Sequence, residues 1–355
     1  MKKTLLAIPA FMAALAIAPM VSTSVHAQDA DKGDSAEKAD AKSYDLLQKW
    51  EKGDIFSLFR NSTATSKQVI TMPDGTENEQ GGDIESEEDV SQFEILEVAE
   101  DGSVTKLSIL WHSGSKLTTT PDPVTGESSE DTTESEYTGL KITYTWDEDS
   151  KAWTGEHDEG GEDLTEAQIN DLAKNQQMPI TDVRLPGKAV AVGDEWEYEE
   201  DIIKTIFTSM LPAEAEAQLG SMTMTERKGS GKVEEAMEAD GIEYLKLSFS
   251  VSMKIDTEQQ GMKLSGPITV DGEFYFDLTN HRVVESTEVV GVEINVEGQG
   301  MKISVNADVD QSRILYKGKA DDLLAEAKKA EEEAEGDDEG DSEDKEDAPA
   351  TPEKK

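Results

Sequence analysis

Lys52-Gly53-Asp54-Ile55-Phe56 returns 140 positions later as Val192-Gly193-Asp194-Glu195-Trp196. Glu100-Asp101-Gly102 returns at a spacing of 139 as Ala239-Asp240-Gly241. Trp146-Asp147, running into Lys151-Ala152-Trp153, returns at a spacing of 130 as Phe276-Asp277, running into His281-Arg282-Val283. The landmarks are turn punctuation at the ends of alternating runs, and the first and third include an aromatic. Glycine permits the left-handed turn, aspartate ties down nearby N–H groups, and Phe56 or Trp196 enters the core. Three landmarks in the same order predict a duplicated β module. The expected class is mainly β (α+β): duplicated antiparallel, curved sheet modules at 46–160 and 181–316, with a short connecting helix.

Outward from the landmarks, alternation marks the strands. Residues 92–98 and 104–111 read as a hairpin around Asp101-Gly102, and residues 140–146 as a half-buried strand. Leu245, Leu247, Phe249, Val251, Met253 and Ile255 alternate with Lys and Ser. Phe274, Phe276 and Leu278 open a hairpin whose return strand runs from Val283 to Val296. Met301 to Val309 alternates again. The Thr-, Ser- and Asp-rich stretch 113–138 reads as a loop. In the connector at 161–180, Thr165-Glu166-Ala167-Gln168 has capping-box spacing for a helix over 165–177. Residues 202–219 read as strand or helix. Residues 317–335 read as a frayed helix of high propensity and little apolar face.

The ends set the address. Lys2 and Lys3 precede an apolar run ending in Val25-His26-Ala27, a small-x-small cleavage pattern, so residues 1–27 read as a signal peptide and 28–45 as a disordered leader. Periplasmic or secreted localisation follows, with no integral membrane segment in the mature chain. The absence of cysteine removes thiol chemistry, a thiol-linked lipid anchor and disulfide staples.

A formal charge of −45 repels nucleic acid and anionic membranes and attracts basic partners and divalent cations. Twelve acids against the single base Lys345 stand in 331–347, and 336–355 reads as a disordered acidic tail with weak divalent cation association.

Chemistry is sparse. His112, His157 and His281 show no HExxH or paired spacing, and there is no GxSxG elbow or glycine-rich phosphate loop. No cofactor and no catalytic residue is assigned. Asp147, Glu148 and Asp149 are weak calcium candidates. Counted as an EF-hand from Asp147, Lys151 falls where an oxygen ligand is required and Ala152 where glycine is required. Trp111, Trp146, Trp153 and Trp196 read as core or hairpin residues before they read as a sugar platform.

Three phrases carry a resemblance: Glu-x-x-x-Asp-Gly at 97–102, Leu-Pro-x-x-x-Val-x-Val-Gly-Asp-x-Trp at 185–196, and the Phe276-Asp277 hairpin, all after Gly53-Asp54. Over about residues 46–316 the chain resembles an exported two-module β family common in planctomycetes and related marine bacteria. That resemblance implies the exported address and the β plan, and no activity. The expected function is a non-enzymatic envelope or secreted binding or scaffolding protein whose partner is an apolar small molecule or an envelope protein. A lipid or lipoprotein carrier is one form of that reading. The alternatives are a carboxylate-dependent glycan hydrolase and a structural protein with no small ligand.

Overall fold

The computed structural model describes residues 42–121, 128–149, 152–159, 164–165, 168–169, 172, 182–209, 223–239, 241–259, 261–298 and 301–325. The expected signal peptide, most of the leader and connector, Pro212 to Ala217, and the acidic tail lie outside these residues.

The fold is mainly β, with one large antiparallel sheet. Its strands are β1 (Ile55–Thr71), β2 (Glu77–Gly81), β3 (Ile84–Val98), β4 (Val104–Pro121), β5 (Ser128–Glu134), β6 (Lys141–Asp147) and β7 (Ala152–Glu159) in the first half. The second half contributes β8 (Glu195–Glu197), β9 (Met224–Ala239), β10 (Ile242–Gln259), β11 (Met262–Asp277), β12 (Arg282–Gly298) and β13 (Met301–Lys317). The order across the sheet is β7-β6-β4-β3-β1-β13-β12-β11-β10-β9-β8, with β2 beside β1 and β5 beside β4. The halves therefore share one sheet, joined where β1 pairs with β13 from Phe56↔Lys317 to Thr71↔Lys302.

Directly paired residues share a face. One face, here called inner, carries two apolar clusters. Phe56, Phe93, Leu107, Ile109, Ile142 and Tyr144 belong to the first, while Leu247, Phe249, Val270, Phe274, Phe276 and Ile294 belong to the second. Full burial of such a side chain stabilises by roughly 1.5–3 kcal/mol.

The inner face is covered by chain segments. Helix α1 (Glu200–Ser209) presses Ile203, Ile206 and Phe207 onto the second cluster. Its Glu200 and Asp201 suit the positive end of the helix dipole. The ambiguous start of 202–219 is thus helical. Thr165 and Gln168 exchange capping-box hydrogen bonds, with Thr165 N–H donating to Gln168 Oε1 at 2.9 Å and Gln168 N–H to Thr165 Oγ1 at 3.3 Å. The connector meets the first half where Tyr144 Oη donates to the Ile169 carbonyl at 3.0 Å. It then pairs Val190 with Tyr44. Tyr44 is already buried, so the packed chain starts inside the stretch expected as leader.

One expectation is corrected, and one strand was not anticipated. Residues 113–121 and 128–134 are strand rather than loop, because β3 and β5 supply ladder partners on both sides of β4. Residues 224–239, which lack clean alternation, form β9 between β8 and β10. Helix α2 (residues 320–325) docks on the outer face. There Ala320 N–H donates to Gln92 Oε1 at 3.3 Å, and His112 Nε2 lies 2.9 Å from Asp321 Oδ1.

Candidate functional site

The repeated Gly-Asp landmarks are held in the same way. Gly53 N–H donates to the Ile95 carbonyl at 2.8 Å and Ile95 N–H to the Asp54 carbonyl at 2.9 Å; Gly193 and Asp194 do the same with Val233 at 2.8 and 3.0 Å. Asp54 Oδ2 accepts from Glu51 N–H at 3.1 Å and Asp194 Oδ2 from Ala191 N–H at 2.8 Å. Gly53 and Gly193 have φ of +91° and +85°, which is why neither position suits a side chain. Phe56 pairs with Phe93, their rings stacked 5.0 Å apart, and Trp196 pairs with Gly231. Gly53, Asp54 and Phe56 thus stand where β1 meets β3, and Gly193, Asp194 and Trp196 where β8 meets β9, six strand positions away in the sheet.

Asp147 and Asp149 sit in the β6–β7 turn. Asp147 Oδ1 accepts the Asp149 N–H at 2.9 Å, and Trp146 Nε1–H donates to Glu148 Oε1 at 3.1 Å. Among the described residues no group of three His, Asp or Glu could hold a metal. Trp111 and Trp196 are core residues, and Trp146 and Trp153 meet edge-on across β6–β7 at 5.6 Å.

Sequence reasoning missed a buried ionic seam where the halves join. Arg184, in the segment that leads to β8, is wedged against the inner face. Its Nε and Nη2 donate to Asp182 at 2.8 and 2.5 Å, and its Nη1 donates to Glu288. The guanidinium lies over the rings of Phe249 and Phe274, with centroids 5.0 and 4.8 Å away. Tyr198 Oη donates to the Arg184 carbonyl at 2.9 Å, fixing the segment itself.

Beside this lock, Arg313 Nη1 is 3.6 Å from Glu288, and Arg60 Nε is 2.6 Å from Asp89. Burial opposes charge on Arg184, but Asp182 and Glu288 outweigh it and hold the group more firmly protonated than an ordinary arginine. Burial dominates at Arg313 and shifts it the other way, helped by Arg184 and Arg60. A cavity of about 30 Å³ borders Arg184, Ser286 and Arg313, roughly the volume of one water. The available signal was phase: Glu288 lies in register with the apolar set Val290, Val292, Ile294 and Val296, and Arg313 with Val309 and Leu315.

The larger opening is on the outer face, a groove of about 780 Å³ across β8 to β13. Pairing generates its lining as two polar ladders. Glu195, Lys232, Ser248, Glu273, Thr287 and Ser312 form one row, while Ser230, Ser250, Asp271, Val289 and Asp310 form the next. Glu234 accepts from Lys232 at 2.6 Å and from Ser248 at 2.6 Å, and these bonds hold its carboxyl below the usual range. Partial burial, with Asp308 nearby, holds Asp310 above it. Asp271 and Asp310 flank Val289 and so stand two strand spacings apart, about 9.5 Å at the backbone. A retaining glycosidase needs carboxyls about 5–5.5 Å apart, and the inverting range ends near that backbone spacing, at about 9.5 Å. A second groove of about 640 Å³ lies along Phe59, Asn61, Ser115, Thr138 and Leu324.

No helix among the described residues is long and apolar enough to cross a membrane. No family model and no curated protein matches the chain. Among solved structures, the chain is similar to DynF from the dynemicin biosynthesis pathway of Micromonospora chersina (9% identity, 84% of this chain and 95% of that chain, TM-score 0.18). It is also similar to an outer membrane channel from Pseudomonas putida F1 (4%, 79% and 100%, TM-score 0.20) and to the outer membrane protease OmpT from Escherichia coli (7%, 75% and 97%, TM-score 0.17). At TM-scores of 0.20 or less these likenesses carry no argument about fold or function.

Proposed function

We propose that this is an exported, non-enzymatic binding or scaffolding protein of the bacterial envelope, which engages a protein partner through the outer groove of β8 to β13. The observation that carries the reading is the pair of polar ladders. They present hydroxyls and the carboxylates of Glu195, Asp271, Glu273, Glu285 and Asp310 against Lys232 in one open surface. Such a surface suits a basic or hydroxyl-rich partner and gives it charge-steered association. The inner face supports protein contact over the lipid-carrier form, since Ile203, Ile206, Phe207 and Trp196 pack directly onto the sheet. The reading includes the exported address, the weak divalent association of the tail and descent of both halves from one duplicated module.

A photoreactive residue at Ser250, in the groove, tests this against one at Thr132, on β5. Incubation with native envelope extract should give discrete protein adducts at Ser250 alone, and these should weaken with salt. Equal labelling at both positions, or stoichiometric lipid in the purified protein, would overturn the proposal. The hydrolase reading has one observation in its favour, the raised carboxyl of Asp310. Glycan cleavage abolished by Asp310→Asn would establish it instead.

A further inference from the structure

The halves correspond strand by strand, in register. Ile109↔Ile142 is matched by Phe249↔Gly272, Trp146↔Trp153 by Phe276↔Val283, and Asp147↔Ala152 by Asp277↔Arg282. With the Gly-Asp hydrogen bonds, this equates β1, β3, β4, β6 and β7 with β8, β9, β10, β11 and β12. Strand β13 is left over. It covers the far edge of β12 from Glu285 to Gly298 and has no counterpart in the first half. Among the described residues nothing pairs with the corresponding edge of β7. Of the connector, the described Ile169 lies on the inner face, where it meets Tyr144 and Gly155.

An edge strand is a row of unsatisfied backbone donors and acceptors, a ready template for strand addition. The chemistry around β7 selects the occupant. Glu156 and Asp158 lie on the strand, and Asp147, Glu148 and Asp149 lie in the turn before it. A second copy fits poorly, since the other single-partnered strands among the described residues are acidic too: β8 offers Glu195 and Glu197, β2 Glu77 and Glu79, and β5 Glu130, Asp131 and Glu134. At the internal seam Arg282 lies 4.8 Å over the Trp50 ring and 3.5 Å from Asp54, whereas its counterpart in the first half is Ala152. The fastening that joins half to half is therefore missing at the free edge.

We propose that the edge of β7 receives an extended, Lys- or Arg-rich segment of another protein as an added antiparallel strand, closing the first half as β13 closes the second. This is a second surface, separate from the outer groove. Backbone pairing would supply most of the affinity, and the carboxylates would supply selection by charge.

The probe is a peptide of alternating Lys and Thr as long as β7, with hydrogen exchange of the purified protein read by mass spectrometry at low salt. Exchange should slow several-fold within 152–159 and nowhere else. A peptide of the same charge interrupted by proline should give no protection. In Glu156→Lys/Asp158→Lys the effect should be lost, and an alternating Glu-Thr peptide should now protect the same amides. Equal protection by the proline peptide would reduce the effect to charge condensation and overturn the proposal. So would protection at β8 or in the outer groove, or protection of 152–159 that grows with protein concentration alone. If the double variant does not fold, the two peptides on the natural chain still decide.

Discussion

The two halves of the sheet keep one register and fill it differently. Across β3, β4 and β6 the inner face reads Phe93, Ile109, Ile142; across β9, β10 and β11 the same column reads Gly231, Phe249, Gly272. A Cβ on Gly231 would run into the Trp196 ring, and one on Gly272 would stand 2.6 Å from Phe249. Side-chain bulk thus sits on different strands in the two halves while the backbone register is shared. Close packing constrains total volume more tightly than it constrains where the volume sits. The covering segments differ too: the first half is met by apolar Ile169, the second by the Arg184 ionic lock.

The sharpest way to break this contrast is Arg184→Ala, which strands Asp182 and Glu288 without their shared cation. We expect a loss of about 3–5 kcal/mol in urea unfolding, and recovery of most of it when Asp182, Arg184 and Glu288 are replaced together by Leu, Met and Leu. A loss smaller than that of Ile169→Ala would mean that the two covers are equivalent after all. Next comes Gly231→Ala, expected to cost about 1–3 kcal/mol by overpacking. Its cost should shrink in a Trp196→Leu background, where Tyr198 Oη, 2.7 Å from the added Cβ, still crowds it, and equal cost in both backgrounds would remove the compensation account.

Gly53→Ala and Gly193→Ala test the shared frame. Each should cost about 1–2 kcal/mol for the left-handed conformation, the two agreeing within about 0.5 kcal/mol. The smallest effect concerns Glu87, whose carboxyl is raised above the usual range by burial and by Asp89 and Glu85, against the pull of Arg60 and Lys116. A raised carboxyl binds its proton more tightly in the folded state. Its contribution is full below about pH 4.3 and is lost as pH rises through the raised value. Glu87→Gln should therefore raise Tm at pH 7 and give no gain near pH 4, as thermal melts across that window would show.

The β class, the turn landmarks, the capped turn at Thr165 and Gln168, and the alternating strands β10, β12 and β13 were legible because each rests on local chemistry. β9 was not, since MTERKGSGKVEEAMEA is rich in helix-favouring Glu, Lys and Ala and its glycines make room for Trp196 and Tyr198. The outer parts of β4 and all of β5 carry polar residues on both faces, and only their ladder partners hold them extended. The fusion of β1 with β13 pairs residues more than two hundred positions apart and leaves no local mark. The outer groove was equally invisible, because its ladders exist only once six strands stand in register.

Among the described residues the halves also differ in closure: β12 is paired with β13, while nothing pairs with the outer edge of β7, and on this difference the partner site stands. Residue-resolved hydrogen exchange on the free protein measures it directly. Amides of β12 should be slow in an unbroken run from Glu285 to Val292, while those of β7 should alternate, slow where they face β6 and fast where they face outward. Unbroken protection along β7 would show that its edge is already covered and would contradict the account.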